Sequence, residues 1–387
     1  MVGRSLNILK ENSFFVFGAR GVGKSTLFQQ TFTPEESLVF NLLDPEVLEE
    51  LSLEPKRFKT MIDAPENREK VIVIDEIQRL PTLLHYVQMY IQKERRIFAM
   101  TGSSARRLKQ ASSNLLAGRA FVYSLFPLST LELGDQFDLK RALEWGTLPD
   151  AYFAKSDEHA REYLSAYLVT YLEKEIQQEQ WVRKIIPFRK FLQIAGQMNS
   201  RVINFAAIGR DVGVDDATVK QYFEILEDTF IGSLLPAFHH SVRRAQRTAP
   251  KFFLFDTGVR RALEKTLSVP LVRQTDFGEA FEHWIYLELV KMISYRRLDW
   301  TLSYAQSRNG VEIDFIVSRP RAPTIQIEVK SMEKVNAAHA ESLETFGRDL
   351  DPKADRYLLS RDPLTQTFGS TLALEWREGI RRIFVQV

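Results

Sequence analysis

Residues 18–25 read GARGVGKS, a full G-x-x-x-x-G-K-[ST] pattern, and no other run restricts the fold of this chain as tightly. An apolar run, Phe14-Phe15-Val16-Phe17, precedes it, and Thr26-Leu27-Phe28-Gln29-Gln30 after it is compatible with a helix. Strand, glycine-bearing loop and helix in that order make a phosphate cradle. Gly18 and Gly23 permit backbone angles closed to other residues. The N–H groups of Gly18, Ala19, Arg20, Gly21, Val22 and Gly23 can then turn inward, and the helix opening at Lys24, Ser25 and Thr26 adds unpaired donors and a positive dipole end. Lys24 is placed to reach the β/γ-phosphates and the Ser25 hydroxyl to ligate Mg²⁺.

Residues 71–76, VIVIDE, are four β-branched apolar residues followed by two acids. An unbroken apolar run fits a strand covered on both faces of a parallel sheet. Asp75 then emerges at the carboxyl end of the strand, where ligands of open α/β sheets collect, as a second Mg²⁺ candidate. Glu76 is the candidate general base that polarises the attacking water.

The first 126 residues hold five strand-like runs, at 13–17, 38–42, 71–75, 96–100 and 120–125, mostly separated by helix-compatible segments. That predicts a mainly parallel sheet with helices on both faces. The fourth run leads into Thr101-Gly102-Ser103-Ser104, where Thr101 and Ser103 are either γ-phosphate sensors or parts of a plain Gly-Ser turn. The order of the phosphate loop, VIVIDEIQRL, TGSSARRL and LLAGRAFVYSLFPLSTLE resembles a family of AAA+-type ATPases, related to archaeal ATPases, whose long C-terminal region has had no assigned function. The resemblance implies ATP, and the chain lacks the Asn-Lys-x-Asp signature of guanine binders. It also implies a homo-oligomer, a hexameric ring being one arrangement, in which Arg119 of LAGRA reaches a neighbouring subunit's γ-phosphate. Arg106 and Arg107 are rivals for that role.

Beyond Pro127 the patterning turns helical. Residues 136–185 alternate apolar and charged positions at helix spacing, as at Tyr163, Tyr167, Leu168, Tyr171 and Leu172, with a turn at Trp145–Pro149. In 188–235 a helix pattern is followed by Phe205, Ile208 and Val212 on one apolar face, a Val212-Gly213-Val214 turn, and a helix capped by Asp215 or Asp216 that carries Val219, Phe223 and Leu226. This is a helix-turn-helix layout, and the Phe230–Phe238 run can open a wing. Thr218, Lys220 and Gln221 are the DNA-contact candidates on the exposed side of its second helix. His239–Lys251, with Arg243, Arg244 and Arg247, is the densest basic stretch and contains no acid. It reads as a phosphate-contacting arm or as a solvated loop.

Two C-terminal runs, VEIDFIV at 311–317 and IQIEVKS at 325–331, alternate with a period of two. Val311, Ile313, Phe315 and Val317 share one face, and Glu312 and Asp314 the other. In the second run Ile325, Ile327 and Val329 take the buried face, opposite Gln326, Glu328 and Lys330. Side by side, the strands bring Asp314, Glu328 and Lys330 together: two carboxylates for Mg²⁺ and an ammonium to position water. The pattern resembles the D…E-x-K core of restriction-endonuclease-like nucleases, and Glu282 in GEAFEHWIYLELV matches the acid on their first helix. The Pro-Asp dipeptide is absent, Ile313 preceding Asp314.

The expected architecture is therefore α/β: an AAA+-type P-loop parallel sheet over 1–135, a helical connector over 136–185, a winged helix-turn-helix with a basic loop over 186–250, and an α/β restriction-endonuclease-like domain over 251–387. Two functions remain open. One is ATP-driven processing of duplex or branched DNA, and the other a regulatory ATPase with a non-catalytic C-terminal scaffold. With 52 basic and 50 acidic residues no global field draws nucleic acid, so any binding patch must be local. The absence of cysteine and of any apolar run near the ~20 residues that span a bilayer points to a cytoplasmic setting without a membrane partner.

Overall fold

The apolar runs at 13–17, 71–75 and 98–102 lack alternation because they are the inner strands of a sheet covered on both faces, whereas the edge strands leave Val39, Phe121 and Val122 exposed. β1 (Ser13–Phe17), β2 (Ser37–Asn41), β3 (Val71–Asp75), β4 (Phe98–Gly102) and β5 (Ala120–Ser124) pair in parallel, in the order β2-β3-β4-β1-β5. The strands expected at 38–42 and 96–100 thus fall at Ser37–Asn41 and Phe98–Gly102. Phe15 and Phe17 join Phe40, Ile72, Ile74, Phe98 and Met100 in one apolar cluster. α2 (Pro45–Leu53), α3 (Lys56–Asp63) and α4 (Leu83–Glu94) contribute Leu51, Phe58, Ile62, Leu84, Val87 and Tyr90 to it. On the opposite face Phe14 meets Phe28 of α1 (Lys24–Thr31) with ring centres 5.9 Å apart. The chain runs from β1 out to β2, returns through β3 and β4, and places β5 on the far side of β1. The reversal lies between β1 and β4, so the crevice at their carboxyl ends is where a ligand of such a sheet belongs.

The computed structural model describes residues 2–104, 116, 118–168, 185–239 and 248–385. They divide into two units, one reaching to Leu128 and including Glu224–Ile231, the other Ser129–Phe223 with everything from Gly232 onward.

In the second unit α5 (Leu139–Trp145), α6 (Pro149–Tyr152) and α7 (Asp157–Tyr167) form the expected helical stretch, broken at Gly146–Leu148; Tyr171 and Leu172 lie outside the described residues. The break is fixed by Asp256, buried at the start of α11 (Thr257–Leu263), whose carboxylate accepts the N–H of Thr147 at 2.7 Å and of Val259 at 3.0 Å. Asp256→Ala orphans both buried donors, each at about 1–3 kcal/mol. The unfolding midpoint of this unit will drop by about 2–4 °C per kcal/mol in a thermal melt, and an unchanged midpoint would remove the structural role.

α8 (Ile185–Gln197), α9 (Phe205–Val212) and α10 (Asp216–Asp228, whose part from Glu224 onward belongs to the first unit) follow, then an antiparallel hairpin of β6 (Gly232–Leu235) and β7 (Lys251–Leu254). Of the two candidate caps it is Asp215 that accepts the Thr218 N–H, at 2.7 Å, while Asp216 pairs with Lys220 at 3.3 Å. Val219 and Phe223 are buried, as their spacing requires.

The rest of this unit is a six-stranded sheet in the order β12-β13-β11-β10-β9-β8, accompanied by α12 (Gln274–Tyr295) and α13 (Trp376–Val385). β8 (Thr301–Gln306), β9 (Glu312–Ser318) and β10 (Ile325–Val329) are antiparallel neighbours, whereas β11 (Asp355–Ser360) runs parallel to β10 and to β13 (Thr371–Glu375). β12 (Gln366–Phe368) closes the edge. The alternation expected for β10 fails on burial: all five residues are buried, because Gln326 turns its amide to the Gly347 carbonyl at 2.8 Å and Ser342 covers Glu328. Val311 is likewise not on the buried face; it precedes β9 and is 40% exposed.

Candidate functional site

The phosphate-loop residues close a tight arch between β1 and α1. A Cβ on Gly18 would stand 2.2 Å from the Leu125 carbonyl oxygen, so the loop leaves β1 where only glycine fits beside β5. Gly23 has φ +94°, and in that left-handed conformation it caps α1. Arg4 donates to the Val22 carbonyl at 3.3 Å and to the Phe126 carbonyl, buttressing the arch from the N-terminal segment. Lys24 is buried, and its ammonium donates to the carbonyls of Gly18 at 2.9 Å and Ala19 at 3.2 Å. Arg20, Gly21 and Ser25 are partly buried, Val22 is buried, and Thr26 is exposed on the first turn of α1.

Beside the arch, the ends of β3 and β4 interlock. The Ser25 hydroxyl donates to Asp75 Oδ2 at 2.7 Å, Thr101 donates to the other Asp75 oxygen, and Thr101 Oγ1 accepts the Glu76 N–H at 2.9 Å. Hydroxyl and carboxylate in contact are the hard oxygen donors that suit Mg²⁺, so Ser25 and Asp75 fit that ion. Glu76 lies 3.7 Å from the Lys24 ammonium, accepts the Ser103 hydroxyl at 2.9 Å, and accepts the Gln78 amide. Burial by itself raises the Glu76 carboxyl. The Lys24 ammonium, the Gln78 and Ser103 hydrogen bonds and Arg20 outweigh it and hold the group below the usual carboxylate range. Glu76 also has φ +60°, a left-handed angle that costs a non-glycine residue of order 1–3 kcal/mol and recurs at functional sites.

Two contributors escaped the sequence reading. Gln78 is buried and ties Glu76 to Ser103, to which it donates at 2.9 Å. It stands inside VIVIDEIQRL, where a polar residue within an apolar stretch was the one signal. Arg4 offered none. Arg119 is exposed just before β5, and Arg106 and Arg107 lie outside the described residues.

A second cluster forms at the β9–β10 end of the C-terminal sheet. Ile327 pairs with Phe315, and one step further along that register Glu328 comes opposite Asp314, whose Oδ2 accepts the Val329 N–H at 2.8 Å. Glu328 holds Lys330 at 2.6 Å and the Ser342 hydroxyl at 2.9 Å. Glu282 of α12 joins Glu312 and Asp314, with carboxylate oxygens of all three within 4.8 Å of one another. Burial, then the Asp314 charge, push both Glu282 and Glu328 up to about 8, against the pull of Lys251 on the first and Lys330 on the second. Of these hard carboxylate oxygens, those of Asp314 and Glu328 suit Mg²⁺, since the Lys251 ammonium already sits against Glu282 and Glu312.

Lys251 corrects the sequence reading. Read there as the end of a basic stretch, a phosphate-contacting arm or a solvated loop, it is 2% exposed on β7, paired with Glu282 at 3.4 Å and with Glu312. Arg243, Arg244 and Arg247 lie outside the described residues. On α10, Gln221 and Lys220 are exposed, whereas Thr218, expected on the exposed side, is half-buried behind the Asp215 cap. Among the described residues no helix is long and apolar enough to cross a membrane.

Comparison with known proteins gives three family matches. Residues 10–134 match the AAA domain, residues 136–269 a domain of unknown function (DUF8612), and residues 277–377 another (DUF4143). Uncharacterized proteins of Mycobacterium bovis (Mb2031c) and Mycobacterium tuberculosis (Rv2008c) are each 23% identical over 309 residues, covering 79% of this chain and 67% of theirs. Among solved structures, a signal-transduction ATPase with numerous domains from Pyrococcus horikoshii, bearing a tetratricopeptide repeat sensor, is 15% identical with a TM-score of 0.24. That likeness covers 77% of this chain, which spans about half (51%) of the Pyrococcus chain, and the score is too low to carry a conclusion. The AAA match and the parallel sheet with its phosphate loop together support an AAA-type ATPase over residues 10–134.

Proposed function

We propose that this chain hydrolyses ATP with Mg²⁺ and uses the cycle to act on DNA through its second unit. The observation that carries the first half is the contact of Lys24, Ser25, Asp75, Thr101, Glu76 and Ser103 around one crevice. In that assignment the loop amides and Lys24 neutralise the phosphates, and Ser25 and Asp75 would hold Mg²⁺, which would supply positive charge against the charge that develops in the reaction. Glu76 takes the proton of the attacking water. Thr101 fixes Asp75 and the Glu76 backbone, and Ser103 aims the Glu76 carboxylate. Arg119, exposed beside an edge strand, is the arginine to be supplied to a neighbouring copy in a homo-oligomer.

For DNA, the support is the helix–turn–helix of α9 and α10 followed by a two-stranded hairpin, a winged-helix layout, with Lys220 and Gln221 outward. In the nuclease-like centre Asp314 and Glu328 hold Mg²⁺, Lys330 orients water, and Glu282 assists from α12. Linear, single-stranded and four-way-junction DNA should each be added to purified protein with Mg²⁺-ATP. We expect turnover to rise with at least one of them, the rise to shrink steeply with salt, and strand breaks to vanish in Lys330→Ala. Turnover unchanged by every DNA withdraws the DNA partner; breaks that persist in Lys330→Ala withdraw the nuclease assignment. A second reading, a regulatory ATPase with this domain as scaffold, draws on the internal pairing of Glu282, Glu312 and Glu328 with Lys251 and Lys330. It predicts DNA-independent turnover and no cleavage.

A further inference from the structure

We infer that Lys251 is a built-in second cation of the C-terminal carboxylate centre, so that this centre takes one divalent ion, on its Asp314–Glu328 side, rather than two. The inference rests on the proposed reading of that centre as a Mg²⁺ site. Two-metal centres place their ions about 3.5–4 Å apart and share carboxylates between them. Here the space enclosed by Glu282, Glu312 and Asp314 has the size for one ion, with oxygens within 4.8 Å of one another. The Lys251 ammonium enters that cluster, 3.4 Å from Glu282 Oε1 and hydrogen-bonded to Glu312 Oε1.

Lys251 is held there from its own side. Its side chain is 3% exposed, the Tyr304 ring lies 5.4 Å from the ammonium, and its backbone is fixed between Leu235 of β6 and a bridge to Val202. Seating an ion among the same three carboxylates would evict a buried ammonium from its partners, and breaking a buried pair is strongly unfavourable. Lys330 differs: its side chain is 32% exposed and can swing outward when an ion meets Glu328.

The test is Mn²⁺ stoichiometry, by electron paramagnetic resonance and calorimetry, on the nucleotide-free full chain carrying Asp75→Asn to silence the phosphate-loop ion. One Mn²⁺ per chain is expected, rising to two in Lys251→Met and staying at one in Lys251→Arg. Two ions in the Asp75→Asn parent, or one in Lys251→Met, overturns the inference. No Mn²⁺ in the parent overturns the metal reading beneath it, and with it the inference. Should Lys251→Met fail to fold, Glu312→Gln decides between the two counts. With Glu312 committed to Lys251, the affinity for the single ion should fall by less than tenfold, and any larger loss would show that the ion sits where Lys251 is placed.

Discussion

Lys24→Ala will weaken Mg²⁺-ATP binding by about 10- to 150-fold and abolish measurable turnover, the fold remaining intact. The affinity figure follows from losing one hydrogen bond to a charged partner, about 1.5–3 kcal/mol. Lys24 is buried at the first position of α1, where the loop brings its ammonium to the carbonyls of Gly18 and Ala19 at 2.9 and 3.2 Å. Neither carbonyl carries a full charge, so phosphate oxygens at the arch are the better acceptors and draw the ammonium to them. Alanine leaves the loop amides in place, which is why some affinity survives. Calorimetric titration with Mg²⁺-ATP, beside a thermal melt to check folding, measures the effect. An affinity within twofold of the parent would mean that the arch does not hold phosphate through Lys24.

Legibility in this chain followed the distance over which each feature is specified. The phosphate loop is eight consecutive residues whose geometry is set by its own glycines, and Asp75 and Glu76 follow from one apolar run ending at a sheet edge. Such features are local and were readable. Glu76 was readable as an acid but not as a residue at φ +60°, an angle found where its N–H and carboxylate meet Thr101 and Ser103 at the end of the neighbouring strand. Lys251 was misread for the same reason. It closes a basic run in sequence, while its partners Glu282 and Glu312 stand 31 and 61 positions away. Period-two alternation placed Asp314 and Glu328 on a common face correctly, yet it cannot report that both faces of β10 are covered. That depends on the 342–347 segment folding over Gln326 and Glu328.

Glu76→Gln will lower kcat by about 10²- to 10⁴-fold, the range lost with a positioned general base, while ATP affinity stays within a few-fold of the parent. The amide keeps the volume and the hydrogen-bonding reach of the carboxylate, so Ser103 and Gln78 retain a partner and the left-handed backbone turn survives. What disappears is the proposed proton acceptor. The Lys24 ammonium, 3.7 Å away, helps hold the Glu76 carboxyl below its usual range, which makes it a poor base while the two are paired. When Lys24 turns toward phosphate, that pull weakens and the basicity of Glu76 rises. Substrate binding and activation of the base are then one event rather than two, and the variant should bind ATP and stop there. Single-turnover hydrolysis measured alongside equilibrium binding separates the outcomes: lost turnover with retained affinity supports the role, whereas turnover within fivefold of the parent assigns the proton to another group and leaves Glu76 a structural partner of Lys24.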